Sequence, residues 1–175
     1  TPEDADAHPL DFYGLSKLVG EHYLSSYKHN YGLDYCALRY GNVYGPRQNA
    51  KGEAGVVAIF ATRMLQGEQA IINGDGRQTR DFVYVGDVAR ANVLAATKGS
   101  GVYNIGTGVS ADINAVFSHL ARITEYALPE VHGPAKPGEV RRSCLDPSRA
   151  RCELGWEPSV TLEEGLMRTA RSFAR

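Results

Sequence analysis

Apolar residues recur every three or four positions across residues 12–30, which is the spacing of an amphipathic helix. Tyr31-Gly32 follows, and a glycine at this place commonly ends a helix. Residues 34–40 then form a short, largely apolar run that predicts a buried strand. The two patterns continue to alternate along the chain, which predicts an α/β architecture. Further helices are predicted at residues 56–67, 88–99, 112–126, 147–155 and 161–175, and further strands at residues 69–73, 80–87, 101–106 and 141–145.

Polar residues at the starts of three predicted helices are of the types that cap helices. Asp87, Asp112 and Thr161 each stand where a helical pattern begins, so each is predicted to be an N-cap. Glu164 lies three residues after Thr161, which predicts a capping box. Residues 41–55 contain four glycines and one proline and are predicted to form a loop.

Composition and charge exclude several classes of protein. With 175 residues, of which 43% are apolar, the chain is expected to be one folded domain and not a disordered segment. A formal net charge of -1 without lysine and arginine clusters argues against nucleic-acid binding. The apolar runs are too short to span a membrane, and no secretory leader is recognised, so a cytoplasmic location is expected. Cys36, Cys144 and Cys152 are expected to be reduced thiols, and the spacing of His and Cys predicts no metal site.

Tyr13 and Lys17 are four positions apart in the first predicted helix and therefore lie on one face of it. A phenol, with a pKa of about 10, is a poor base at neutral pH, but a neighbouring ammonium stabilises the phenolate and lowers that pKa. Such a phenolate can take a proton from an alcohol while a hydride leaves the same carbon for a nicotinamide. The spacing is also compatible with a lysine that simply lies over a tyrosine ring at the surface.

Several short segments, in a fixed order, resemble one known family. These segments are YGLSK (13–17), LRYGNVYGPRQ (38–48), GDGRQTRDFVYVGDVARA (74–91), YNIGTG (103–108), KPGEVRRSCLDPSRARCELGWEP (136–158) and LEEGL (162–166). Together they resemble the C-terminal part of the extended short-chain dehydrogenase/reductase family, and within it the NAD-dependent nucleotide-sugar epimerases and dehydratases. The resemblance covers nearly the whole chain.

The resemblance implies a fold with two parts. One is the C-terminal part of a Rossmann-like doubly wound sheet, and the other is a small mixed α/β substrate lobe. Residues 1–46 and 80–108 would form the remainder of the nucleotide-binding domain, and residues 47–79 and 109–175 the substrate-binding lobe. The N-terminal, glycine-rich half of the family's fold is missing from this sequence.

The resemblance also implies roles for five residues near the cofactor. Tyr13 matches the family's catalytic base, and Lys17 matches the partner that binds the nicotinamide ribose and lowers the pKa of the tyrosine. Tyr40, Gly41 and Asn42 match the segment that approaches the nicotinamide. Asn42 would in addition contact the diphosphate of the sugar nucleotide.

A second set of residues is implied to bind the substrate. Val57 and Phe60 match positions that line the base and sugar pocket. Arg80 matches the arginine that pairs with the diphosphate, and Glu139 matches an acidic residue that holds the uridine ribose hydroxyls. Lys136 stands where the family usually has a second phosphate-binding arginine; lysine keeps the charge but loses the forked geometry.

Structural roles remain open for three of these residues. Arg80 could form an ion pair with Asp81 or with Glu139. Asn42 could serve a turn, and Glu139 could be a solvated loop carboxylate.

The sequence contains one possible substitute for the missing cofactor-binding turn. Gly106, Gly108 and Ala111 fit G-x-G-x-x-A between a predicted strand and a helix. A dinucleotide fingerprint also requires an acidic residue about twenty positions later, at the end of a second strand. Neither Glu125 nor Glu130 stands in such a place, so this interpretation is disfavoured. The Ser or Thr that the family carries further ahead of the tyrosine is also not identified, because only twelve residues precede Tyr13.

The function implied is NAD-dependent epimerisation at C4 of a UDP-hexose through a 4-keto intermediate, with the chain inactive by itself. A nucleotide-sugar 4,6-dehydratase or a decarboxylase is the alternative reaction. A non-catalytic sugar-nucleotide-binding or assembly module is the alternative of another class. The expected partners are a UDP-sugar and a second copy of the chain, since strands without their neighbours expose apolar surface. By analogy with the family, the homo-oligomer is expected to be a dimer.

Overall fold

A computed structural model describes residues 1–51 and 54–174 of the chain. The helices are α1 (Phe12–Tyr31), α2 (Val56–Leu65), α3 (Val85–Lys98), α4 (Ile113–Ile123) and α5 (Leu162–Phe173), with a π-helical segment at Ala150–Leu154. The strands are β1 (Cys36–Tyr40), β2 (Asn42–Tyr44), β3 (Ile71–Asn73), β4 (Thr79–Tyr84), β5 (Gly101–Ile105), β6 (Ser110–Asp112) and β7 (Val131–Gly133). The alternation of helices and strands confirms the predicted α/β class.

Most of the strand pairing is parallel. β1 runs parallel to β5, with Cys36 opposite Gly101. β4 lies between β2, which is parallel to it, and β6, which is antiparallel. β3 and β7 form a third pair, also parallel. Gly41 separates β1 from β2, so the chain passes from the first pair into the second sheet at this residue.

Two hydrophobic cores lie on either side of β4. Phe82 belongs to the larger core, which packs residues of α2, α4 and α5, whereas Val83 belongs to the smaller core, which contains Trp156 and residues of α3 and β5. Neighbouring residues contribute to different cores because side chains alternate between the two faces of a strand. β4 therefore carries Arg80, near its start, into the neighbourhood of the larger core.

α1 is well capped but contributes to neither core. The Asp11 carboxylate accepts a hydrogen bond from the Gly14 N–H at 2.6 Å, and Gly32 ends the helix in the left-handed conformation with φ 68°. No residue of α1 is buried in the part of the chain that the structure describes, and Phe12 is 91% exposed. Apolar surface of this extent is typical of an interface.

Asp87 does not cap α3, which corrects the sequence-based prediction. The helix begins two residues earlier, and Asp87 lies in its first turn with only 1% of the residue exposed. Its carboxylate accepts hydrogen bonds from the Ser159 N–H and hydroxyl, from the Val160 N–H and from Arg90. Burial by itself raises the pKa of Asp87, but these bonds outweigh it and hold the pKa below its ordinary value. Asp87 therefore joins α3 to the segment before α5.

Other boundaries differ from the sequence-based expectation. β2 lies inside the predicted loop 41–55, and the predicted strand 141–145 is reduced to an isolated bridge between Thr79 and Arg142. The caps at Asp112 and Thr161 are confirmed, since their side chains accept from the N–H groups of Ala115 and Glu164. None of the described helices has the length and apolar character needed to cross a membrane.

Candidate functional site

Tyr13 and Lys17, called the Tyr–Lys pair below, lie together in the first turns of α1. The Lys17 Nζ is 5.0 Å from the centre of the Tyr13 ring, within the range of a cation–π contact. The Tyr13 residue is 68% exposed. The pair is therefore assembled and open to solvent, so its tips are accessible to a ligand.

The residues 40–42, called the β1–β2 junction below, are held by hydrogen bonds from the backbone and from one side chain. The Gly41 N–H donates to the Ile105 carbonyl at 2.9 Å, and the Tyr40 hydroxyl donates to the Asn92 Oδ1 at 3.0 Å. A Cβ added at Gly41 would lie 2.7 Å from the backbone oxygen of Asp81, which no real Cβ tolerates. Glycine is therefore required at position 41, because β4 lies too close for a side chain there. Asn42, the next residue, begins β2.

One cavity, with a volume of about 240 Å³, brings together most of the residues expected to bind substrate. Its polar lining includes Asn42, Arg80, Lys136 and Glu139, and Phe60 contributes to the apolar lining together with Val56, Ile59, Ile71 and Ile113. Two cationic side chains, one carboxylate and the Asn42 amide thus share, with further amides, a half-open space that has an apolar wall. Such a set fits a ligand with an anionic part, hydroxyl groups and an apolar ring.

Arg80 is fixed at the wall of this cavity by two acceptors. Its Nη2 donates to the Glu139 Oε1 at 2.9 Å, and its Nη1 donates to the Thr79 carbonyl at 2.8 Å. Its side chain is only 14% exposed. Of the two ion pairs considered from the sequence, the one with Glu139 forms. A guanidinium carries more N–H donors than these two bonds use, so Arg80 can still bind an anion in the cavity.

Asp81 serves a different purpose and explains the glycines that follow β5. Its carboxylate accepts hydrogen bonds from the Thr107 N–H and hydroxyl, the Gly108 N–H and the Leu145 N–H. A Cβ at Gly106 would lie 2.4 Å from the Asp81 Oδ2. The N–H groups that a phosphate would need are thus already bonded to a carboxylate. The G-x-G-x-x-A stretch of Gly106, Gly108 and Ala111 is therefore a packing feature and not a dinucleotide cradle.

Lys136 and Glu139 belong to a turn that a second ion pair holds in place. The Glu139 N–H donates to the Lys136 carbonyl at 3.3 Å. Two residues further on, Arg141 donates to both oxygens of Asp75 at 2.6 and 2.7 Å. The Arg141 guanidinium holds the pKa of the Asp75 carboxyl well below its usual range. This bidentate contact ties the turn to the loop after β3.

Val57 does not line the cavity. It is 1% exposed and lies in the larger core, whereas its neighbours on α2, Val56 and Ile59, line the cavity. Phe60 lines the cavity and also packs edge-on against Phe117, with ring centres 5.5 Å apart. The Tyr–Lys pair is likewise outside the lining of this cavity.

Sequence reasoning missed two polar residues of the cavity wall, Asn73 and Gln78. The Gln78 Nε2 donates to the Asn73 carbonyl at 2.9 Å, and Gln78 is buried. Gln78 lies in the family-like segment 74–91, but the resemblance implied no role for it, and Asn73 lies outside the segment. The place of both in the cavity wall depends on the turn between β3 and β4. Among the described residues, no cluster of three or more His, Cys, Asp or Glu side chains could hold a metal ion.

Known proteins resemble the chain in both sequence and fold. Residues 1–106 match the model of the NAD dependent epimerase/dehydratase family. The UDP-glucose 4-epimerase of Mycolicibacterium smegmatis is 43% identical over 176 residues, which cover 99% of this chain and 56% of that protein. The structure of UDP-glucose 4-epimerase from Thermotoga maritima, solved with UDP-glucose, has a TM-score of 0.97 at 52% identity, covering 99% of this chain and 56% of that one. The Thermus thermophilus enzyme, in complex with NAD, has a TM-score of 0.90 at 42% identity, covering 99% of this chain and 59% of that one. The chain thus spans about half the length of the curated relatives it matches.

Proposed function

Because the chain belongs to the NAD dependent epimerase/dehydratase family, we propose that it carries the substrate site of an enzyme that epimerises C4 of a UDP-hexose. The observation that carries this proposal is the cavity shared by Asn42, Arg80, Lys136 and Glu139. The family resemblance led us to expect that these four residues bind one ligand. They come from β2, β4 and the turn before Arg141, and yet they line the same cavity.

The lining of the cavity suits the parts of a sugar nucleotide. Arg80 and Lys136 supply positive charge for a diphosphate, and Asn42 supplies an amide that can donate to a phosphate oxygen. Glu139 can accept from the two hydroxyls of a ribose through the lone pairs that Arg80 leaves unused. Phe60 and the aliphatic residues beside it provide an apolar wall for a base or a sugar ring.

The Tyr–Lys pair would perform the proton transfer. Tyr13, as phenolate, takes the proton of the 4-hydroxyl and later returns it to the same oxygen, while Lys17 stabilises the phenolate and donates to a ribose hydroxyl. NAD, when bound, supplies the hydride acceptor and donor at C4. The resulting 4-keto sugar turns in the site, so that the hydride returns to its opposite face and the configuration at C4 is inverted.

The residues present fit one end of a dinucleotide. The Lys17 ammonium is exposed beside the accessible Tyr13 ring, as a contact to a ribose requires. The turn of Gly106 to Gly108 does not fit the pyrophosphate end, because the Asp81 carboxylate already accepts from the N–H groups of Thr107 and Gly108. We therefore assign residues 1–46 and 80–108 to a cofactor domain that needs further chain, and residues 47–79 and 109–175 to the substrate lobe.

Two alternative functions would also use residues of this site. A 4,6-dehydratase or decarboxylase would use the same Tyr–Lys pair with additional acid or base groups. A non-catalytic sugar-nucleotide-binding module is favoured by one observation, namely that Tyr13 and Lys17 do not line the cavity of Arg80. Catalysis requires that the sugar extend from the cavity to the phenol.

We also propose an oligomeric state and a cellular location for the protein. The unburied apolar side chains of α1 support a homodimer that uses this helix. The three cysteines are free thiols, which supports a reducing compartment, the cytoplasm.

Calorimetry of the full-length gene product with UDP and UDP-glucose, followed by an assay for UDP-galactose formation with added NAD, tests the proposal. We expect UDP binding that Arg80→Ala weakens by about tenfold or more. Arg122→Ala, which removes an exposed arginine paired with Glu163, is the matched control and should bind UDP as the parent does. No UDP binding by the parent protein would contradict the substrate assignment, and UDP binding without interconversion would favour the non-catalytic module.

A further inference from the structure

Arg39 connects three segments that surround the Tyr–Lys pair. Its Nε and Nη2 donate to the two carboxylate oxygens of Glu21 at 2.8 and 2.7 Å, and its Nη1 donates to the Glu3 carbonyl at 3.0 Å. Glu21 lies on α1, one turn after Lys17, while Glu3 lies in the segment that leads into the helix. Arg39 itself is the residue before the β1–β2 junction.

The contact between Arg39 and Glu21 has the geometry of a strong ion pair. Two parallel N–H···O bonds join a planar guanidinium to a carboxylate, and the side chains are 29% and 22% exposed. The hydrogen bonds to Glu21 raise the pKa of Arg39 above its ordinary value. Shielding of this degree separates the pair from the fully exposed ion pairs that contribute little.

Side-chain hydrogen bonds tie α1 to more distant residues near its middle and near its far end in the part of the chain that the structure describes. Near the far end, the Lys28 ammonium donates to the Ser100 hydroxyl at 3.5 Å. The contact of Glu21 with Arg39 is nearer to Tyr13 and has the shorter distances. It is therefore the contact that bears most directly on the orientation of the Tyr–Lys pair.

We propose that Arg39 and Glu21 hold the Tyr–Lys pair in place relative to the β1–β2 junction. The inference rests on the proposed function, since it assigns a positioning role within that reaction. Glu21 is eight residues from Tyr13, about 12 Å along the helix, so neither partner of the ion pair touches the reacting atoms. A small rotation of α1 about this point would move the phenol away from a sugar that is fixed elsewhere by Arg80. Misplacement of a catalytic group by about 1 Å can lower a rate by about a hundredfold.

Glu21→Gln in the full-length gene product tests the proposal, because the amide keeps the shape of the side chain and removes its charge. Two readouts are needed: amide hydrogen exchange of α1 compared with α5, and kcat and KM for UDP-glucose. We expect exchange in α1 to rise by about tenfold with α5 unchanged. We expect kcat to fall by about tenfold or more while KM stays within about twofold, since the cavity of Arg80 is not altered.

Three further variants separate positioning from loss of fold. Arg39→Lys keeps the charge but cannot form two parallel bonds, so its kcat should fall between those of the parent and Arg39→Met. Asp34→Asn removes an exposed ion pair with Lys28 on the same helix and should change neither readout. A purely structural role would lower the fraction of protein that binds UDP in step with kcat, and calorimetry measures that fraction directly.

The outcomes distinguish this inference from the proposed function. Unchanged exchange in α1 of Glu21→Gln overturns the inference even if the parent is an active epimerase. A fall in kcat that is matched by an equal fall in UDP-binding sites also overturns it. If the parent binds UDP but forms no UDP-galactose, the proposed reaction fails, and a catalytic positioning role fails with it; faster exchange would then support only the anchoring of α1.

Discussion

Arg80 and Glu139 are joined by a hydrogen bond of 2.9 Å, although they are far apart in the sequence and belong to β4 and to the turn after Lys136. The bond leaves each side chain with unused donor or acceptor capacity toward the cavity that both line. The two groups are thus oriented before any ligand arrives, which reduces the entropy lost on binding.

Arg80→Lys should weaken UDP binding although the charge is kept. Lysine cannot contact Glu139, the Thr79 carbonyl and a diphosphate with one planar group. We expect a loss of about tenfold in affinity, or about 1.4 kcal/mol, measured by calorimetry at fixed ionic strength. Affinity equal to that of the parent would show that Arg80 does not contact the ligand.

Lys136→Arg should have the opposite effect. A guanidinium at this place can form two parallel hydrogen bonds with a phosphate, which an ammonium cannot. We expect UDP affinity to rise by about threefold to tenfold, with little change for uridine, which has no phosphate. An equal gain for uridine would mean that the new side chain acts through packing and not through the diphosphate.

Gly41→Ala should destabilise the protein, because its Cβ would lie 2.7 Å from the Asp81 backbone oxygen. Either β1 or β4 must shift, at a cost of about 1–3 kcal/mol in the free energy of unfolding. Gly20→Ala is the control, since a Cβ there meets no atom within 4 Å and alanine favours the helix by about 1 kcal/mol. Urea unfolding of both variants measures these changes. Equal stability of Gly41→Ala and the parent would contradict the close approach of the two strands.

Asp87 should make the stability depend on pH at the acid end. Because its pKa is lowered in the folded state, its stabilising contribution is complete above the unfolded-state pKa of about 3.9 and is lost as pH falls through the folded-state value. Asp87→Asn should cost about 2–3 kcal/mol at pH 7. The difference from the parent should shrink below about pH 4, as urea unfolding at several pH values would show. A difference that is constant with pH would contradict the role of the carboxylate.

Local chemistry predicted much of the fold. Helix α1 was predicted at residues 12–30 and is observed at Phe12–Tyr31, because its spacing, its stop at Gly32 and its cap are all local signals. Asp87 was misassigned for the opposite reason. An aspartate at a helix start is typical of a cap, yet its bonds reach Ser159 and Val160, more than seventy residues away. β2 was missed because a short strand among glycines is stabilised by its pairing with β4 and not by its own sequence.

The candidate site likewise contains residues that the motifs identified and residues whose positions depend on the tertiary fold. Motif resemblance identified Asn42, Arg80, Lys136 and Glu139, which the fold brings into one cavity. The position of Val57 in the core follows from the rotation of α2, which the motif does not specify. The contact of Arg39 with Glu21 carries no signal in spacing, since it depends on how α1 lies against β1. The family resemblance is confirmed, whereas the roles of individual residues stay predictions.

The most direct test of the central claim is to let the full-length gene product epimerise UDP-glucose in D2O with NAD and to measure the hydrogen at C4 of the product by NMR. A hydride that leaves for the cofactor and returns does not exchange with solvent, so we predict UDP-galactose that retains protium at C4. Tyr13→Phe should lower the rate by about a hundredfold or more and leave UDP affinity within about twofold, since the phenol acts on the proton and not on the diphosphate. Deuterium at C4, or an unchanged rate for Tyr13→Phe, would contradict the account.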